Sequence, residues 1–234
     1  MFMFIEKIKK IEKIKKTGRL LEALALYLAL FPPRLPASPD PAAFLGGALE
    51  IRLAHELLKF LAYTLPALAL MGILMGKGLW PAKPGARDAL SALAGFLCLL
   101  FIGWGVSALS GLLGLRFPTP RLKAPDSCAG FLALFISALG TGYVEETFFR
   151  CYLLSRFAGL EEAGAGMIRI LKGILFSTLL FAAAHSYEGP WGVLNAALAG
   201  ALLSWIMHKW RSLHGIALAH GGYNVFVWMA GGEI

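Results

Sequence analysis

AGFLALFISALGTGYVEETFFRCYLL, residues 129–154, decides the fold. From Ala129 to Val144 it carries no charge, and a helix needs roughly 20 mainly apolar residues to cross a bilayer. Glu145, Glu146 and Arg150 then follow inside the same apolar stretch. An ionisable group in a lipid-spanning helix is costly, by about 2.5 kcal/mol at the least, so three together mark a site.

Working outward, comparable apolar segments run from Leu20 to Phe31 (short), Leu57 to Met75, Ala89 to Leu113, Ile168 to Ala184, Val193 to Met207 and Leu213 to Met229. Together they predict an all-α fold, a polytopic transmembrane helical bundle of about seven membrane segments. Composition agrees: 58% of residues are hydrophobic and 15% charged, which excludes a soluble domain with polar helix faces. The segment from Leu20 to Phe31 rises only about 18 Å against a hydrocarbon core of about 30 Å, so whether it spans stays open.

A formal charge of +8 would suit nucleic acid, but the basic residues lie in the N-terminal tail and between apolar segments. That is the pattern of loops at a membrane surface, so the bilayer is the expected partner and nucleic acid is not. Residues 5–16 are a tandem hexapeptide, Ile5-Glu6-Lys7-Ile8-Lys9-Lys10 followed by Ile11-Glu12-Lys13-Ile14-Lys15-Lys16. It reads either as an interfacial amphipathic helix on anionic lipid or as a basic tail that sets orientation. Both readings place the N-terminus in the cytoplasm, in a cell membrane of the bacterial inner-membrane type. Alternation from there puts Lys77 to Arg87, Arg156 to Lys172 and Lys209 to Arg211 inside, while Arg116 to Lys123 falls outside against the rule.

The stretch Pro32 to Pro41 breaks the chain, and Glu50, Arg52, His55, Glu56 and Lys59 precede the next apolar run, so a surface or re-entrant helix is expected there. Three regions follow: a basic amphipathic segment (1–19), N-terminal membrane helices with the Pro-rich surface segment (20–127), and a catalytic membrane core (128–234). Cys98, Cys128 and Cys151 lack a paired framework and read as packing residues, with neither disulfide nor metal expected.

Within the core, Glu146 and Arg150 are four apart with the acid first, the order that favours an ion pair along one helix. Glu145 points about 100° away, without a partner on its own helix, and such a carboxylate is placed to accept a proton from water. A helix-packing network or an ion pathway would use the same residues. Phe181 and His185 share the end of one apolar helix. His220 and Asn224 share a face of the last helix, where Gly221 and Gly222 permit close approach; they suit either an oxyanion or interhelical hydrogen bonds.

Taken in this order, Glu145-Glu146-x-x-x-Arg150, Phe181-x-x-x-His185 and His220-x-x-x-Asn224 resemble the motifs of the CPBP family, the CAAX-protease and bacteriocin-processing membrane proteins that include the type II CAAX prenyl endopeptidases. The resemblance covers roughly the C-terminal half and includes the run Glu145 to Leu154. It implies an intramembrane endopeptidase of glutamic type, acting on a peptide or protein substrate with a membrane-associated segment. Glu145 and His185 would activate the hydrolytic water, and His220 and Asn224 would stabilise the oxyanion. Glu146 and Arg150 would support the site, with Phe181 belonging to the second motif. No cofactor is expected. No metal is expected either, since the zinc signature H-E-x-x-H is absent and Glu145 and Glu146 diverge on their helix. The alternatives are a metal-dependent protease built on these residues and a non-enzymatic membrane protein, an immunity factor or a transporter. The two halves show no similarity of the kind transporters carry. The substrate stays open among a prenylated C-terminus, a leader peptide and a sorting signal.

Overall fold

In lipid a backbone amide has no water to bond, so apolar segments of this length close their hydrogen bonds within helices. The computed structural model describes residues 17–32, 49–75, 83–114, 124–158 and 166–230, and all of their regular structure is helical. The tandem repeat, most of the Pro-rich stretch and the Arg116 to Lys123 loop lie outside the described residues. The chain divides into two compact units, Met1–Arg34 and Leu35–Ile234. Helix α1, residues 17–30, belongs to the first.

The described residues of the second unit form six helices. Helix α2 runs through Leu49–Lys59, a π-helical turn at Phe60–Thr64, and Leu65–Met75; α3 is Ala86–Leu112. Helix α4 runs through Cys128–Glu146, a second π-helical turn at Thr147–Tyr152, and Leu153–Ala158. Helices α5 (Met167–Ala184), α6 (Gly189–Trp210) and α7 (Leu213–Met229) complete the unit. Five of these, α2 to α6, are long and apolar enough to cross a membrane. With α1 and the 17-residue α7 they match the seven expected segments, and the protein is an integral membrane protein.

Two expectations change. The polar approach to the first long segment is no separate surface or re-entrant element, because residues 49–59 continue directly into the rest of α2. The reason for the local widening is Pro66, which has no N–H for the carbonyl of Ala62 and whose ring crowds it; the π-turn Phe60–Thr64 lies just before. Of the three cysteines only Cys151 packs in the interior, while Cys98 and Cys128 are exposed.

Helix α5 shows which side faces lipid. Ile168, Leu171, Leu175 and Leu179 are exposed, whereas Ser177, Thr178 and Phe181 are buried. Apolar groups outside and hydroxyls inside reverse the soluble pattern, as expected where lipid tails replace water.

The bundle is drawn together by small residues. At the start of α3, Asp88 accepts from the Gly85 amide (2.9 Å) and from Ser212 Oγ (2.6 Å), tying the first turn of α3 to the entrance of α7. Gly95 of α3 lies against Ala219 of α7, and Gly140 of α4 receives Thr64 and Phe60 of the α2 π-turn. The closest crossing joins α4 to α7: a methyl on Gly142 would stand 2.9 Å from the carbonyl oxygen of Ala217, and one on Gly221 would stand 3.1 Å from that of Ala138. Neither obstacle is a side chain that turns aside. Gly142→Ala or Gly221→Ala is expected to destabilise the protein by about 1–3 kcal/mol. Gly105→Ala, where no heavy atom lies within 4 Å, is expected to leave stability unchanged or slightly raised. Thermal unfolding of the three variants in detergent checks this.

Candidate active site in the membrane core

The crossing at Gly142 and Gly221 decides what stands next to it. Glu145 and Glu146 end the α-helical part of α4, one turn beyond Gly142, and His220 precedes Gly221. With the backbones in contact, His220 Nδ1 donates to Glu146 Oε1 at 2.7 Å. A carboxylate oxygen accepts, so the proton resides on Nδ1. Arg150 Nη1 lies 3.2 Å from the same oxygen, and both side chains of this ion pair are fully buried. Glu145 Oε2 stands 3.7 Å from His220 Nε2, an electrostatic contact beyond hydrogen-bond range. The four groups form one run, Glu145–His220–Glu146–Arg150. Two carboxylates, a guanidinium and an imidazolium sum to zero, the arrangement that lowers the burden of each charge in a medium of low dielectric.

Phe181 is the apolar hub of the site. Its ring lies 4.1 Å from the Arg150 guanidinium carbon, with ring centroids 5.1 Å from Phe149, 4.5 Å from His185 and 5.9 Å from His220. Gly200 of α6 leaves the space these groups fill, since a methyl there would come within 3.1 Å of the Phe181 ring and 3.4 Å of Arg150 Nη2. Arg150 is thus held by charge and by a ring face; its Nε, Nη1 and Nη2 make no hydrogen bond to the described residues.

His185 caps the end of α5 and donates from Nδ1 to the Phe181 carbonyl at 2.8 Å. That bond leaves Nε2 of the neutral ring as an acceptor. Beyond it a short 3-10 turn, Ser186–Glu188, leads to Gly189 at φ 79°, a left-handed conformation suited to glycine, where the chain enters α6.

The structure therefore brings Glu145, Glu146, Arg150, Phe181 and His220 into one network and joins His185 to it through Phe181. Glu145, without a partner on its own helix, faces His220 of α7. No hydrogen bond or ion pair among the described residues joins Glu145 to His185. Asn224 stands one turn beyond His220, half-buried, and its amide makes no hydrogen bond to the described residues. Two contributors carried little signal in the sequence: Gly142, one small residue among several, and Ser177, whose hydroxyl donates to the Phe149 carbonyl of α4 at 2.7 Å. Among the described residues no three histidine, cysteine, aspartate or glutamate side chains are grouped to hold a metal ion.

An integral membrane protein with carboxylates and imidazoles meeting in its buried centre is the class these features define. Residues 127–226 match the family described as type II CAAX prenyl endopeptidase Rce1-like, and every candidate site residue lies within that stretch. The match bears out the resemblance carried by the three motifs. No curated protein and no solved structure matches the chain.

Arg150→Ala would leave Glu146 buried with one partner fewer and is expected to destabilise by about 3–5 kcal/mol. The double variant Glu146→Gln with Arg150→Met removes both charges and is expected to lose less than the two single changes together. Denaturation of the set in detergent measures the difference.

Proposed function

We propose that the protein is an intramembrane endopeptidase of glutamic type, hydrolysing a peptide bond of a membrane-associated substrate. The observation that carries this reading is the buried run Glu145–His220–Glu146–Arg150, inside the stretch that matches a prenyl endopeptidase family. Glu145 takes a proton from water, assisted by the acceptor nitrogen of His185, and the water oxygen attacks the substrate carbonyl carbon. The oxyanion so formed receives hydrogen bonds from His220 Nε2–H and from the Asn224 amide, which has no other described partner to satisfy. Because Nδ1 of His220 is committed to Glu146, this donor role needs the imidazolium, the form that brings the four charges to zero. As the C–N bond breaks, the proton held by Glu145 passes to the departing amine. Glu146 and Arg150 act through His220 by fixing its ring and its charge.

The family's description favours a prenylated C-terminus over a leader peptide or a sorting signal, and the setting is a cell membrane with the N-terminus in the cytoplasm. The test uses the purified protein in detergent, a pool of prenylated and unprenylated peptides, and a strong chelator. Wild type is expected to cut with the chelator present, and Glu145→Gln to lose activity by roughly 10²–10⁴-fold. His220→Ala is expected to lower kcat by roughly 10²–10³-fold with little change in KM. Loss of wild-type cleavage on chelation would replace this mechanism by a metal-dependent one, and equal losses of kcat and substrate affinity in His220→Ala would remove its oxyanion role.

A further inference from the structure

We propose that Asn195 and Tyr223 hold the substrate's backbone beside the bond to be cut: the amide oxygen of Asn195 accepts from a peptide N–H, and the phenol of Tyr223 donates to a peptide carbonyl. The inference rests on the protease reading above and deepens it by naming two substrate-binding residues.

Their place in the bundle follows from its connections. The turn Ser186–Glu188 leads from α5 to α6, and Arg211 and Ser212 lead from α6 to α7, so the three helices run alternately in opposite senses. Phe181 of α5 marks the level of the buried charges, with Gly200 of α6 against its ring and His220 of α7 at 5.9 Å between ring centroids. One turn further, about 6 Å along the axes, stand His185 at the end of α5, Asn195 of α6 and Asn224 of α7. Tyr223 adjoins Asn224, and its hydroxyl oxygen accepts from Asn195 Nδ2 at 3.4 Å, which ties α6 to α7 at this level.

The two levels differ in chemistry. In the first, charges answer one another; in the second the groups are neutral and have hydrogen-bonding capacity to spare. The Oδ1 atom of Asn195 is enclosed and makes no hydrogen bond to the described residues. A phenol oxygen that accepts still carries its own hydrogen to donate. The pair therefore presents one acceptor and one donor, the complement of a peptide group.

The bilayer makes such a complement necessary. A substrate segment has to leave helical bonding before water can reach its carbonyl carbon, and in hydrocarbon each N–H and C=O so freed is costly. In the mechanism above His220 and Asn224 take the scissile oxygen. Consecutive residues of a helix point about 100° apart, so Tyr223 serves a neighbouring peptide group rather than the same oxygen.

The test uses the intact protein in detergent and a fluorescent peptide ending in farnesylcysteine and three further residues. A companion series replaces each backbone amide of that stretch in turn by an ester, which removes one N–H. For wild type, one ester away from the cleaved bond is expected to raise KM about 3- to 10-fold with kcat little changed, as for a contact made equally before and during reaction. Asn195→Leu is expected to show that loss with the all-amide peptide and to suffer less than twofold more from the ester. Tyr223→Phe, which deletes the hydroxyl alone, is expected to weaken the all-amide peptide to a similar degree. Fluorescence anisotropy with Glu145→Gln as the parent is expected to give the same ratios in Kd without turnover. Should Asn195→Leu fail to fold, Asn195→Ala stands in for it. An ester penalty that persists undiminished in the Asn195 variant, or unchanged affinity in Tyr223→Phe, overturns the proposal and leaves the protease reading intact where cleavage is seen. Binding with the expected ratios but no cleavage by any protein overturns the protease reading and supports the clamp. A peptide neither bound nor cut overturns both.

Discussion

One carboxylate oxygen, Oε1 of Glu146, is the point on which this bundle depends. It accepts from His220 of α7 and pairs with Arg150 of its own helix, at 2.7 and 3.2 Å. Each of these groups alone would be expelled from a lipid-spanning core; together they are tolerable because every charge has an opposite within contact distance. The dependence extends to the helices without charge. α5 contributes the Phe181 ring face that lies over the guanidinium, and α6 contributes the hollow at Gly200 beside it. Packing around the oxygen is thus specified by chemistry, whereas packing elsewhere needs only complementary shape.

Two backbone devices make that convergence possible, and they act in different directions. The glycine crossing brings α4 and α7 close enough for a short side chain such as glutamate to reach an imidazole on the neighbouring helix. The π-turn that follows Glu146 then sets the rotation of the rest of α4 relative to it. Distance comes from the absence of side chains, and orientation from an irregularity in the hydrogen-bond ladder. Irregular backbone in a membrane is tolerated where protein surrounds it, which is the situation of all six residues of the turn.

Much of this is legible in the sequence alone. Apolar length marked every long helix, with Leu213 to Met229 recovered to the residue, and the four-residue spacing of Glu146 and Arg150 foretold their pairing. These are local properties of a periodic chain. The meeting of Glu145 and Glu146 with His220 was not legible, because His220 lies 74 residues beyond even the nearer of the two and is reached through a crossing whose angle no local pattern encodes. Nor was the π-turn, since Thr147 to Tyr152 has the composition of ordinary helix. Ser177 illustrates this: a serine in an apolar segment is unremarkable until the structure shows its hydroxyl donating to the Phe149 carbonyl of another helix. The polar residues before α2 misled for a related reason, because charge at a helix entrance suits a surface element and the first turns of a span equally.

Helix lengths carry a last consequence. The α7 helix, which bears His220 and Asn224, has 17 residues and rises about 25 Å, while its neighbour α3 has 27 and rises about 40 Å. A membrane cannot match both. Against the short helix, hydrophobic mismatch is relieved by local thinning of the bilayer, and against the long one by tilt. Lipid thickness is therefore an environmental variable coupled to the region around His220: membranes of different acyl length present the headgroup layer at different depths beside the same side chains.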